Sequence, residues 1–214
     1  MVATLFCITL VASAGVGSIY RLTAEPIAAA NAAAVTEALR QVLPTFDQTT
    51  EQELVIDELP ITVYTATAAN QTVGYAVKSM TKSGFGGAIT MMVGFDTMGK
   101  ILNVNVLSQA ETPGLGTKMA EPENALLKSV QGRHPAEMSL KVKKDGGDVD
   151  ALTAATISSR AYVDAVARAY NAFVECAGTG SSIDTASGAT QTDATSGATN
   201  TVSAESAQEG VSHE

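Results

Sequence analysis

The first twenty positions carry no charged side chain, and Leu, Ile, Val, Phe and Ala dominate them. A run of about twenty such residues predicts a helix that crosses a bilayer. Ala12-Ser-Ala14 imitates a signal cleavage site, but the basic stretch of a secretory signal is missing and the apolar run continues to Ile19, so an uncleaved anchor is favoured. The abrupt apolar start leads us to expect a short basic stretch ahead of Met1. From about Ala24 the pattern changes to Ala28, Ala32, Val35, Leu39 and Val42 along one side, a second helix with Thr23 as cap, Pro26 in its first turn and Pro44 as its stop. Four β-rich runs follow, at 61–68, 72–80, 88–95 and 101–108, with turns at Asn70-Gln71 and Thr97-Met-Gly99. A short helix at 121–130, a last strand at 138–143 and a turn at Asp145-Gly-Gly147 lead to Asp150. From Ser159 onward, Tyr162, Val166, Ala169, Tyr170, Phe173 and Val174 form the apolar stripe of an amphipathic helix. The pattern predicts an α+β fold: an antiparallel sheet with flanking helices.

After Cys176 the large apolar residues nearly vanish, and Gly, Ser, Thr and Ala take over. Such a stretch cannot bury enough surface to offset its ordering entropy, so disorder is expected. The chain is thus expected to divide into an anchor at 1–20, a connecting helix at 21–52, one folded domain at 53–176 and a low-complexity tail at 177–214. The net charge of −9 is concentrated there, since the tail holds five acidic residues and no Lys or Arg. Nothing in this balance suggests nucleic acid as a partner, which needs a basic surface to neutralise phosphates. Two cysteines in unrelated settings and two histidines, His134 and His213, support neither a disulfide nor a metal site nor a histidine-centred catalytic group. Met91, Met92 and Met98 suit core filling better than a pocket lining.

The stretch Asp150-Ala-Leu-Thr-Ala-Ala-Thr156-Ile-Ser-Ser-Arg160 sets hydroxyls and small residues against the start of the last helix. Backbone N–H groups there lack intrahelical partners and the helix dipole is positive, so a phosphate would be favoured, with Arg160 as a countercharge. The same residues also suit a plain cap, with Thr153, Thr156 or Ser158 bonding free N–H groups. Composition leaves both readings open.

Asp150 to Thr156 resembles the flavinylation motif of the FMN-binding domain family, Asp-x-x-Ser/Thr-Gly-Ala-Ser/Thr, whose last hydroxyl carries FMN as a phosphoester. Gly84-Phe-Gly-Gly87, running into 88–96, and Glu111-Thr-Pro-Gly-Leu-Gly116 resemble two further segments of that family. The likeness is strongest to the RnfG family, the G subunits of Rnf electron transport complexes, from the membrane segment to about Cys176. The C subunit of the sodium-pumping NADH:quinone oxidoreductase shares the domain, but Val142-Lys-Lys-Asp-Gly-Gly147 and Ile157-Ser-Ser-Arg160 favour RnfG.

The resemblance implies an electron-carrying flavoprotein with covalent FMN on Thr156. Asp150 and Thr153 become recognition positions and Ala155 the small residue before the acceptor. Gly86, Gly87, Glu111, Thr112, Gly114, Leu115 and Gly116 become the flavin surroundings. No residue is catalytic in turnover and no metal is required. The implied partners are the membrane, other subunits of a membrane electron transport complex, and a flavin transferase. The domain is expected outside the cytoplasm on a single-pass anchor in the cell membrane, although Arg21 read by itself would place it inside. Ala154 departs from the motif's Gly, which matters if the backbone needs positive φ there. The competing readings are a component like the C subunit of the sodium pump and an anchored, noncatalytic binding domain. In the tail, Asp184-Thr-Ala-Ser-Gly-Ala-Thr190 and Asp193-Ala-Thr-Ser-Gly-Ala-Thr199 fit the same motif, making Thr190 and Thr199 possible extra acceptors.

Overall fold

The computed structural model describes residues 2–178 and Ile183. Helix α1 (Val2–Val42) leads into five strands, β1 (Gln48–Ile56), β2 (Leu59–Ala68), β3 (Gln71–Thr81), β4 (Ile89–Phe95) and β5 (Ile101–Ser108). A short helix, α2 (Ala125–Val130), and a long one, α3 (Thr156–Ala177), complete the described chain. The strands form one antiparallel meander in the order β1-β2-β3-β4-β5. The expected α+β class is therefore observed.

Strand alternation divides the core in two. Ile61, Val63, Val77, Met91, Val93 and Phe95 face α3, together with Tyr162, Val166, Tyr170 and Phe173 from the helix. Tyr64, Ala66, Ala76 and Met92 face the end of α1, which contributes Ala38, Leu39, Val42 and Leu43. Period-two side-chain placement makes neighbours such as Met91 and Met92 serve opposite faces. Both are fully buried and fill the core as expected, whereas Met98 is exposed and does not. Phe173 stacks on Phe95 with centroids 5.2 Å apart and meets Tyr75 edge-on at 5.2 Å. Burying each such side chain stabilises by roughly 1.5–3 kcal/mol, so the α3 stripe is a principal hold on the sheet.

Five expectations are corrected. The anchor and the connecting helix are one continuous helix; Pro26 lies inside it, and Thr23 Oγ1 donates to the Ile19 carbonyl at 2.9 Å instead of capping a new start. A strand, β1, precedes the four expected ones. It was hidden because its hairpin turn is Asp57-Glu58, which has φ of 50° and 63° and no glycine. The next hairpin turns on Ala69-Asn70, one residue earlier than expected, with φ of 50° and 62°. The run 138–143 is not a strand of the sheet. Met138 and Leu140 pack against the core and Val142 is buried within it, while the backbone bonds locally: Val149 N donates to the Lys141 carbonyl at 3.0 Å and Lys143 N to the Val149 carbonyl at 2.8 Å. Its alternation records burial, with one isolated parallel bridge from Val142 to Val149 in place of a ladder. The expected helix at 121–130 shortens to α2 because Asn124 caps it, accepting from Leu127 N at 2.8 Å.

Candidate functional site

Among the described residues, the three motif segments that the sequence singled out lie at one end of the sheet. The glycine loop joins the end of β3 to the start of β4, Glu111 follows the end of β5, and the first turn of α3 meets both. The link is Glu111, a carboxylate only 4% exposed. Its Oε1 accepts from Gly86 N at 3.0 Å, and its Oε2 accepts from the Ser158 hydroxyl. Burial of a carboxylate is tolerated when both oxygens are hydrogen-bonded in this way. The packing is tight enough that a Cβ on Gly116 would lie 2.7 Å from Glu111 Cβ and 2.7 Å from Ser158 Oγ. One on Gly86 would lie 1.8 Å from the Ala110 carbonyl oxygen, so the glycines here serve close approach. Thr81 reinforces the junction: its hydroxyl donates to Asp164 of α3 at 2.6 Å and accepts from Ser83 N at 3.1 Å.

Thr156 is the first residue of α3, half-buried, with Ala155 at the cap position. No side chain caps this helix end. The expected capping by Thr153, Thr156 or Ser158 is therefore absent: Thr153 is exposed, Ser158 is engaged with Glu111, and Ser159 stitches the turn by donating to the Ala155 carbonyl at 2.8 Å and accepting from Leu152 N at 2.9 Å. The Thr156 hydroxyl instead accepts a hydrogen bond from Lys144 Nζ at 3.2 Å.

Three consecutive residues of a 3₁₀ turn hold this loop. Lys143 Nζ pairs with Asp150 at 2.6 Å, Lys144 reaches Thr156, and Asp145 takes Arg160 in a fork of two bonds, each 2.7 Å. The Arg160 guanidinium beside Asp145 holds that carboxyl below its usual range, and the Lys143 hydrogen bond, assisted by Ser129, does the same for Asp150. The expected countercharge, Arg160, is thus committed to Asp145, and Lys144 is the cation at the hydroxyl. Sequence inspection missed Lys144 because nothing in a Lys-Lys-Asp run tells which side chain turns inward. Ser158 was visible only as a possible cap.

Ala154 has φ of 59°, the left-handed conformation that the motif's glycine adopts without penalty. Gly114, with φ of 74°, bonds Thr117 Oγ1 through its N–H at 2.9 Å, and the Thr112 carbonyl accepts from Leu115 N at 3.1 Å. Exposed apolar side chains crowd these segments: beyond α1, the exposed large ones among the described residues are Val55, Phe85, Met98, Leu115 and Ile157. Three of the five therefore belong to the glycine loop, the Glu111–Gly116 segment and the first turn of α3. Exposed apolar groups on these three segments and an ammonium at the Thr156 hydroxyl are the kinds of contact that a flat apolar ring bearing a phosphate would use. Thr190 and Thr199 lie outside the described residues.

The direction of α1 relates this end to the apolar segment. Asn103 Nδ2 donates to the Gln41 backbone carbonyl at 2.9 Å, and Asn105 Nδ2 donates to the Gln41 side chain. Helix carbonyls point toward the C-terminus and side chains lean toward the N-terminus. Passing from Asn103 to Asn105 along β5 therefore means travelling back along α1. The end of the sheet that carries Glu111 and Thr156 faces the N-terminal part of that helix, which is long and apolar enough to cross a bilayer.

Fold and site together define a flavin-binding domain on an apolar helix, and residues 84–171 match the family model described as FMN-binding domain. The chain is 33% identical over 174 residues to the G subunit of the ion-translocating oxidoreductase complex of Shewanella amazonensis, covering 74% of this chain and 80% of that one. It is 40% identical over 116 residues to the corresponding subunit of Shewanella oneidensis, 53% of this chain and 54% of the relative. Against the Vibrio vulnificus counterpart it is 42% identical over 106 residues, 48% and 50% of the two chains. The chain belongs to the family of G subunits of ion-translocating oxidoreductase complexes, the RnfG family.

Proposed function

We propose that the chain is the flavoprotein subunit through which a membrane-bound, ion-translocating oxidoreductase of the ferredoxin:NAD type passes electrons, with FMN held as a phosphoester on Thr156. It is an electron-transport flavoprotein subunit of an ion-translocating oxidoreductase complex, as the family and its FMN-binding domain support. The observation that carries the covalent reading is the Thr156 hydroxyl: half-buried, not consumed in capping, and met by the Lys144 ammonium. Bound FMN supplies reversible uptake and release of electrons. The residues of the chain do the rest. Lys144 offsets phosphate charge at the tether. The N-terminus of α3 adds its dipole, worth about 0.3–1 kcal/mol for an anion. Phe85, Leu115 and Ile157 offer apolar surface beside the acceptor, and Glu111 holds the three segments in register.

Electron exchange with other subunits of the complex fits an acceptor end that looks back along α1 toward the bilayer. We place the domain on the extracytoplasmic side, where a phosphoester prevents loss of the cofactor by dissociation. A separate flavin transferase installs the FMN. The subunit then needs no acid–base machinery and turns over no substrate alone. α1 holds no charged side chain before Arg21, so it offers no ion path of its own, and ion movement belongs to partner subunits.

The test is coexpression with a flavin transferase, followed by acid precipitation and peptide mapping. Yellow colour should survive unfolding and map to the 150–160 peptide. Thr156→Ala should remove flavin from that peptide, and Thr156→Ser should keep much of it. Flavin persisting on the 150–160 peptide of the Ala variant would refute the assignment.

A further inference from the structure

The heptapeptide ending at Thr156 recurs at 184–190 and at 193–199, and the structure of the first copy shows what its positions require. The last residue presents the hydroxyl. The residue before it is a small one at the helix cap, and the one before that sits at φ of 59°. Ala154 occupies this left-handed position in the folded copy, against a penalty of about 1–2 kcal/mol for a residue with a Cβ. Both tail copies keep the leading Asp, the hydroxyl at the fourth position and the closing Ala-Thr, and both place a glycine, Gly188 or Gly197, where Ala154 stands. They depart from the folded copy at the residue that suits its backbone least.

Low complexity does not account for the match. A tail of Ser, Thr, Ala and Gly produces Ser-Gly-Ala-Thr by drift, but Asp is rare there. The only two Asp residues between 177 and 214 are Asp184 and Asp193, and each opens a heptapeptide.

We infer that Thr190 and Thr199 are further FMN attachment sites, so that one chain carries three flavins, one on the folded domain and two on its C-terminal extension. The inference rests on the reading of Thr156 as an FMN acceptor. At each site the threonine oxygen bonds to the FMN phosphorus of FAD, the pyrophosphate P–O bond to AMP breaks, AMP leaves and the hydroxyl proton is released. The flavin keeps its oxidation state. FAD is the co-substrate, and the transferase that serves Thr156 also serves the tail.

The experiment is intact mass and peptide mapping of the full-length chain coexpressed with a flavin transferase, for the unmodified sequence, Thr156→Ala, and the Thr190→Ala/Thr199→Ala pair. Three, two and one FMN-minus-water increments are expected in that order, with the tail increments on the peptide spanning 184–199. A single increment in the unmodified chain that persists in the tail pair overturns the inference and leaves Thr156 as the acceptor. Two increments in both the unmodified chain and Thr156→Ala, mapped to the tail, uphold the inference and remove Thr156. No increment in any chain overturns both.

Discussion

Ser158 donates its hydroxyl proton to Glu111, 47 residues earlier in the chain, and through that carboxylate the first turn of α3 is joined to the glycine loop at Gly86. The relationship makes Glu111 an organiser of the site. Replacing it with Ala leaves the Gly86 N–H and the Ser158 hydroxyl without their buried acceptor, at about 1–3 kcal/mol for each stranded group. Glu111→Ala is expected to lower unfolding stability by about 2–4 kcal/mol and to reduce flavin loading. Glu111→Gln keeps the shape and one acceptor, so it should cost much less. Denaturant unfolding of the two variants, beside flavin-to-protein absorbance, checks the order; equal stability of Ala and wild type would contradict it.

Ala154 offers a gain. Its φ of 59° is strained for any residue with a Cβ, and its side chain is exposed, so removing the methyl sacrifices little packing. Ala154→Gly is expected to stabilise the folded domain by about 0.5–1 kcal/mol, the relief being partly offset by the greater freedom of glycine in the unfolded chain. It should also speed flavin attachment, because the acceptor loop would hold its conformation without strain. The checks are the chemical unfolding midpoint and the initial rate of modification by purified transferase. Ala154→Val should move both in the opposite direction.

Lys144 separates local charge from fold. The residue is exposed and its ammonium bonds the Thr156 hydroxyl at the surface, so Lys144→Met should change stability by less than about 0.5 kcal/mol. Attachment should slow severalfold because the incoming phosphate loses its nearest cation. Lys144→Arg should restore most of the rate, and added salt should slow the wild type more than Lys144→Met. An unchanged rate in the Met variant would remove Lys144 from the site.

In α3, the buried Tyr162 hydroxyl has no hydrogen-bond partner, and burial pushes its pKa up. Tyr162→Phe removes the unpaired group while keeping the ring. It should raise stability by about 1 kcal/mol, read as a higher unfolding midpoint with unchanged slope. A loss of stability would show that the hydroxyl is satisfied in solution.

Much of this architecture was visible in the residue pattern, and for identifiable reasons. β2 to β5 announce themselves by β-rich runs with alternating burial, and the Tyr162-Val166-Tyr170-Phe173 stripe sets α3 to within a turn. β1 escaped because Thr49 to Glu53 are exposed and their turn, Asp57-Glu58, takes left-handed φ at both residues without the glycine that would have signalled it. The same limit applies at the site. Thr156, Glu111 and the glycine loop were found as separate motifs, whereas their union through Ser158 and the Lys143-Lys144-Asp145 clamp depends on contacts between segments that no local pattern encodes.

That clamp fixes how the acceptor loop responds to acid. Asp145 and Asp150 have folded-state pKa values lowered below 3.8, by the hydrogen bonds from Arg160 and Lys143 respectively. A lowered folded value means that the unfolded chain binds these protons first as pH falls, so both contributions are fully present above the unfolded value and are lost only as pH drops through the lower folded values. The loop should therefore stay held from neutral pH down past the ordinary carboxylate range. Removing one partner shifts that edge: in Lys143→Met the Asp150 carboxyl should titrate closer to 3.8, while Asp145, still forked by Arg160, keeps its low value. Carboxyl carbon shifts followed by NMR through the acid range would resolve the two groups. Coincident upward movement of both would mean that the ends of the loop are coupled, and no movement of Asp150 would mean that Lys143 does not hold it in solution.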